Sequence, residues 1–195
     1  MKHLIFYSFL LAAALLSCKK ETPEDPVVVV PPPKVPIFLP GDTTFGAAYA
    51  EKNTYVWTAN TYCKHALVDS NKLILQLFTY TANGSRRETL GLALFSKNAT
   101  GVYQFEPRVN IIPPAGSAGA TYGTWSSDGD VVEDYYLIDS TDAANRLTIT
   151  HIDLVNKRVE GRFHATFDLQ PPRRNPANPL KASFTNGRFW AVIRE

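Results

Sequence analysis

The segment RLTITHIDLVNKRVEGRFHATFDL, residues 146–169, decides the fold, because it contains two apolar runs on either side of a short polar turn. A shift of one residue would mix apolar and polar side chains on both faces, so the register with one apolar face is favoured. The turn then falls at residues 154–157, with Asn156 suited to a left-handed backbone. The apolar face would carry Leu147, Ile149, His151, Val159, Gly161, Phe163, Ala165 and Phe167.

The tripeptide Gly-Arg-Phe occurs in this hairpin and again in FTNGRFWAV, residues 184–192. Side chains two residues apart in a strand share a face, so each phenylalanine lies on the side of its glycine and each arginine on the other side. We therefore expect Phe163 and Phe189 in the core, and Arg162 and Arg188 on the outside. The repeat is interpreted as repeated architecture and not as a binding site.

The chain beyond residue 45 consists of short segments rich in aromatic and β-branched residues, and most end at Asn, Gly, Asp or Pro. This pattern is typical of antiparallel β domains. It predicts an all-β domain over residues 45–195, either a single antiparallel β-barrel or a two-sheet β-sandwich of about ten strands. Asn186 and Gly187 are read as a tight turn between the last two segments. The candidate strands are 45–50, 54–59, 63–68, 72–80, 87–95, 101–106, 120–125, 133–139, 146–152, 158–169, 180–185 and 187–194.

The first residues have the features of a bacterial secretory leader. Lys2 precedes an apolar run from Leu4 to Leu16 that is broken only by Ser8 and is too short to span a bilayer. The run ends in LLSC, which resembles a lipobox. The resemblance implies that residues 1–17 are a lipoprotein signal peptide and that Cys18 carries the lipid.

A proline-rich segment follows the lipobox cysteine. Seven prolines lie between Pro23 and Pro40. Because proline fixes φ and lacks an amide donor, residues 18–44 are expected to form a disordered, extended tether. The predicted location is the outer membrane, reached through a lipid anchor that includes palmitate. The sequence leaves open whether the domain faces the periplasm or the cell surface.

The C-terminal half resembles a known group of proteins. LTITHIDLVNKRVEGRFHATF is followed by ASFTNGRF, which gives an apolar strand, Asp, an Asn-Lys turn, Val-x-Gly-x-Phe and then Thr-Asn-Gly-x-Phe. This order resembles a family of uncharacterised Bacteroidota envelope lipoproteins. The resemblance implies an all-β, lipid-anchored protein of the cell envelope. It supplies no catalytic residue.

Composition narrows the classes of function. The formal net charge is +2, which does not predict a nucleic-acid partner. If Cys18 carries lipid, Cys63 has no disulfide partner, and we expect it to be buried in a strand. His151 and His164 would face opposite ways in the favoured register, so neither a metal site nor a cofactor is predicted.

The candidate ligand-binding residues lie in and beside an irregular segment at 106–132 that is rich in Pro, Gly and Ser. They are Tyr122, Trp125, Asp128 and Asp130. Exposed aromatic rings stack on the apolar faces of sugars, and loop carboxylates bind hydroxyl groups. The acidic run at 126–136 leaves calcium as an alternative ligand.

The predicted function is a non-catalytic binding or interaction module, with a glycan or an envelope protein as partner. Two alternatives stay open. One is a glycan-binding accessory lipoprotein of a polysaccharide uptake system, and the other is an enzyme with a site formed between loops. No catalytic residue is identified, because GTWSSDG at 123–129 lacks a Gly-x-Ser-x-Gly elbow and the strand-turn-helix context that presents one.

Overall fold

The computed structural model describes residues 45–106 and 116–194, which form ten β-strands. The leader, Cys18, the tether and residues 107–115 lie outside the described residues. Within the part of the chain that the structure describes, no helix has the length and apolar character needed to cross a membrane. The strands are β1 (Gly46–Lys52), β2 (Tyr55–Ala66), β3 (Asp69–Tyr80), β4 (Arg86–Ser96), β5 (Gly101–Glu106), β6 (Ser117–Trp125), β7 (Val132–Ile138), β8 (Arg146–Asp153), β9 (Arg158–Leu169) and β10 (Lys181–Arg194).

The ten strands form one sheet that closes on itself as a ring. Successive pairings lead from β2 through β3, β4, β6, β7 and β9 to β10, which pairs with β2 again. β1 pairs with both β10 and β2, and β5 and β8 form a second path between β6 and β9. The pairs are antiparallel except β2–β10 and β5–β6. The predicted all-β class and the number of strands are confirmed.

The inward face of the ring is filled by a continuous apolar core. Alternate residues of β3 and β4 point into it, so that Leu75, Leu77, Leu90 and Leu92 are fully buried. Cys63 is buried in β2 as predicted, and this burial raises the pKa of its thiol. Several aromatic rings meet at the centre of the core, namely Trp57, Tyr122, Tyr136, Phe167 and Phe184.

Two of the predicted strand boundaries are wrong. The segments at 54–59 and 63–68 belong to one strand, β2, because the residues between them keep their pairing with β1 and β3. The last two segments also join, as β10. Asn186 does not form a turn between strands but lies in a bulge within β10, where it adopts a φ of 54°.

The hairpin of β8 and β9 has the predicted core register, with one local difference. Leu147 lies opposite Phe163, and Ile149 lies opposite Gly161. A bulge then shifts the register between Ile149 and His151, so His151 is exposed, contrary to the prediction. In the turn, the left-handed residue is Lys157, with a φ of 52°, and not Asn156.

The two Gly-Arg-Phe tripeptides pair directly with each other across β9 and β10. Phe189 lies opposite Gly161, and Phe163 lies opposite Gly187. A Cβ on Gly161 would come within 2.7 Å of Cζ of Phe189, and one on Gly187 within 2.7 Å of Cδ1 of Phe163. Each glycine therefore makes room for the ring of the other tripeptide, and the expected core position of both phenylalanines is confirmed.

Substitution of either glycine by alanine should overpack this part of the core. We expect Gly161→Ala and Gly187→Ala each to lower the free energy of unfolding by about 1–3 kcal/mol, because both a phenylalanine ring and a neighbouring backbone carbonyl must move to admit the methyl group. Urea unfolding monitored by tryptophan fluorescence measures the change.

Gly123→Ala is the matched control. Gly123 is also a buried strand glycine, but a Cβ there would lie 3.5 Å from the nearest atom, an ordinary van der Waals contact. Its free energy of unfolding should stay within about 0.5 kcal/mol of the wild-type value. Equal losses in all three variants would show that the reciprocal packing of glycine and phenylalanine is not the cause.

Candidate functional site

Three of the four predicted binding residues lie near one another on the surface. Asp128 and Asp130 line a shallow depression of about 490 Å³ between the loop after β6 and the β3–β4 turn. Trp125 adjoins it, with the guanidinium of Arg86 4.9 Å from its ring centroid. Tyr122 is separate from this surface, because it is only 1% exposed and its ring belongs to the core.

The acidic residues of this region have different partners. Asp128 accepts hydrogen bonds from the Ser126 hydroxyl and the backbone amide of Asp130, and these bonds lower its pKa. Asp128 thereby stabilises the turn after β6 in which it lies. Asp134 is buried and accepts hydrogen bonds from the amide of Arg174, at 2.6 Å, and the side chain of Asn178, at 2.7 Å. Among the described residues, no group of three or more histidine, cysteine or acidic side chains is placed to hold a metal ion.

The principal polar cluster lies at one end of the ring, around the carboxylate of Glu88. Tyr122 donates to Oε1 at 2.5 Å, and Trp57 donates to Oε2 at 2.7 Å. Thr79 donates to Oε2 at 3.0 Å, and Lys52 forms an ion pair with Oε1. These five residues, from β1, β2, β3, β4 and β6, are called the Glu88 cluster below.

The charges of the Glu88 cluster are shielded from solvent. Lys52 is 4% exposed, and its Nζ also donates to the Tyr122 hydroxyl at 2.6 Å. Burial alone raises the pKa of Glu88, but the ammonium of Lys52 and the hydrogen bonds bring the pKa below its usual value. Burial and the Glu88 carboxylate raise the pKa of Tyr122, which therefore remains a proton donor. The cluster holds an ionised carboxylate in a fixed orientation.

A pocket of about 480 Å³ opens beside the cluster. Asn53 of the β1–β2 turn and Tyr55, the first residue of β2, line it, and Tyr55 is 45% exposed. Glu133 and Asn178 also line the pocket. Asn178 is held in place by hydrogen bonds to Thr124, at 2.9 Å, and to Asp134. The pocket thus combines an exposed aromatic ring with amide and carboxylate groups whose positions are fixed.

Sequence reasoning missed Lys52 and Glu88, although alternation contains a signal for both. Lys52 lies two residues after the buried Ala50, and Glu88 lies two residues before the buried Leu90. Each charge therefore occupies an inward-facing position of its strand. When residues of opposite charge occupy inward-facing positions near strand ends, they are expected to pair with each other, because burying an unpaired charge costs free energy.

Comparison with known proteins does not assign a role to this site. The chain matches no known protein family, no curated protein and no solved structure. The site must therefore be interpreted from its own chemistry. Glu88 accepts four hydrogen bonds and has a lowered pKa, so it is poorly suited to take up a further proton. Glu88 is therefore better suited to hold its neighbours in place than to transfer protons.

Breaking the buried ion pair should destabilise the fold. We expect Glu88→Gln to lower the free energy of unfolding at pH 7 by roughly 2–4 kcal/mol, because the Lys52 ammonium is left buried without a counter-charge. Replacing Lys52 by Met in the same chain should recover much of this loss. Chemical denaturation of both variants measures the effect.

Glu160→Gln is the matched control, because it removes a carboxylate from the exposed Arg158–Glu160 pair. It should lower the free energy of unfolding by less than about 1 kcal/mol.

The stability that Glu88 contributes should depend on pH, because folding lowers the pKa of Glu88. This contribution is complete above the pKa of glutamate in the unfolded chain, about 4.3, and is lost as pH falls through the lower pKa of the folded state. The stabilities of wild type and Glu88→Gln should therefore converge in acid. A difference that stays constant with pH would contradict this account.

Proposed function

We propose that the protein is a non-catalytic binding module of the cell envelope, and that it binds a glycan in the pocket beside the Glu88 cluster. The observation that carries the proposal is that the exposed side chain of Tyr55 lines one pocket together with amide and carboxylate groups. An aromatic face packs on the apolar face of a sugar ring. Carboxylates accept hydrogen bonds from hydroxyl groups, and amides both donate and accept them.

The rigidity of the walls supports binding to a preformed site. The side-chain amide of Asn178 donates to Thr124, Glu133 and Asp134, and Glu133 also accepts a hydrogen bond from Asn175 at 2.8 Å. Lys52 at the base is held by Glu88 and Tyr122. Groups that are already ordered lose little conformational entropy when a ligand binds, so weak individual contacts contribute more to affinity.

The proposed location is the outer membrane. The leader at 1–17, the lipobox cysteine Cys18 and the proline-rich residues up to 44 favour a lipid anchor and a tether. These residues lead to Gly46, where β1 begins. This arrangement would let the domain stand away from its anchor and act as an accessory protein of a polysaccharide uptake system. The resemblance to Bacteroidota envelope lipoproteins favours the same location in the cell envelope.

Glycan binding should depend on Tyr55. We expect the full chain to bind one class of oligosaccharide on a glycan array, and Tyr55→Ala to weaken that binding about tenfold or more, because the variant loses a central aromatic contact. Calorimetric titration of the best array ligand measures the affinity.

Tyr135→Ala is the matched control, since Tyr135 is also an exposed strand tyrosine, 42% exposed, but does not line the pocket. It should bind like wild type. Trp125→Ala tests the surface formed by Trp125, Asp128 and Asp130. If Trp125→Ala lost binding and Tyr55→Ala bound like wild type, the ligand would bind at that surface and not in the pocket. Shortened oligosaccharides after incubation with the protein would contradict a non-catalytic role.

The lipid anchor can be tested separately from ligand binding. We expect wild type to incorporate labelled palmitate and to sediment with outer membranes, whereas Cys18→Ser should do neither, because the variant lacks the thiol that accepts the first lipid. Cys63→Ser serves as the control and should remain in the membrane fraction. A labelled Cys18→Ser protein would refute the anchor.

A further inference from the structure

A depression on the outer face of the ring brings three arginines together. It has a volume of about 400 Å³ and lies where β8, β9 and β10 run side by side. Its arginines are Arg146, Arg162 and Arg188, one from each strand, and all three are exposed. This depression is separate from the pocket of the Glu88 cluster, with which it shares no lining residue.

Strand register forces two of these arginines together. Arg162 lies directly opposite Arg188, because the Gly161–Phe189 and Phe163–Gly187 pairs on either side fix the alignment of β9 and β10. Like charges directly opposite each other destabilise a sheet. The two Gly-Arg-Phe tripeptides therefore create an unfavourable pair of cations at a defined place.

The protein does little to neutralise this pair. Among the described residues that line the depression there is no carboxylate, and no ion pair within the described chain engages the guanidinium of Arg162 or Arg188. The nearby Glu160 is paired with Arg158 at 2.7 Å. Asp142 lies 3.4 Å from His164, at the edge of the depression. The remaining lining includes side chains that can donate hydrogen bonds, namely the hydroxyl of Thr148 and the amide of Asn186, which also donates to Glu51 at 3.3 Å.

We propose that this depression binds a phosphate or sulfate group. Guanidinium groups present parallel N–H donors that match the oxygens of such an anion, and a doubly charged anion between Arg162 and Arg188 would turn their repulsion into attraction. Arg146 and the hydroxyl of Thr148 provide further hydrogen-bond donors in the depression. The tripeptide repeat is thus more than architecture, because the same register that packs its phenylalanines inward assembles its arginines outward.

The test is calorimetric titration of the full chain with inorganic sulfate and inorganic phosphate at constant ionic strength. Wild type should bind one anion, and the double variant Arg162→Gln, Arg188→Gln should bind it about tenfold more weakly or worse. The double variant Lys72→Gln, Lys97→Gln loses the same charge outside the depression and should bind like wild type. Binding that is unchanged in the arginine variant, or absent from wild type, would overturn the proposal.

Thermal unfolding provides a second readout. Without added anion the arginine variant should be at least as stable as the lysine control, because a like-charge pair has been removed. Sulfate should raise the Tm of wild type and of the lysine control, but not that of the arginine variant. A lower Tm for the arginine variant without anion would overturn the proposal, since the arginines would then stabilise the fold. Titration with glycerol 3-phosphate distinguishes a free anion from a phosphate ester, which should bind more tightly if it is the natural ligand.

Discussion

The register between β9 and β10 is the constraint on which the rest of the structure depends. Phe189 fits over Gly161 and Phe163 over Gly187, and a shift of one residue would place each ring against a backbone that carries a side chain. With this register fixed, β10 pairs with β9 on one side and with β1 and β2 on the other, which closes the ring. Both candidate sites rest on that closure. β10 holds β1, which ends at Lys52 in the Glu88 cluster, and it supplies Arg188 to the outer depression.

Alternation along the strands separates the two sites. The Glu88 cluster uses inward-facing positions at one end of the ring, where the apolar core gives way to solvent, and its charges are partly removed from water. The arginine depression uses outward-facing positions of β8, β9 and β10, where side chains remain hydrated. An ion pair is worth more in the first environment than in the second. One sheet can thus provide a fixed polar pocket at its end and an anion-binding surface on its outer wall.

The alternation of apolar and polar residues was sufficient to predict much of the fold. The wrong predictions have causes in local backbone geometry. The limits of β9 follow from alternation over residues 158–169, because every second side chain there is apolar. Alternation could not foresee the bulge that turns His151 outward, since a bulge inserts a residue without changing composition. Asn186 was misread for a related reason, because a left-handed asparagine occurs in bulges as well as in turns. The Glu88 cluster was harder to predict from the sequence, because Lys52 and Tyr122 come into contact only when the closed ring brings β1 and β6 together.

Each site contains charges in an unfavourable place, but the charges of the Glu88 cluster have partners within the chain and those of the arginine depression do not. Charge is buried in the Glu88 cluster, but five residues of the chain satisfy one another there, so the fold alone can account for it. Lys52 and Glu88 reach the pocket, but their charges already have partners, whereas Tyr55 offers an exposed ring to a ligand. Arg162 and Arg188 face each other without a carboxylate between them in the described chain, and like charges directly opposite each other destabilise a sheet. Local violations of this kind are expected where function opposes stability. A pair of cations that the fold does not need is explained most simply by an anion from outside the chain.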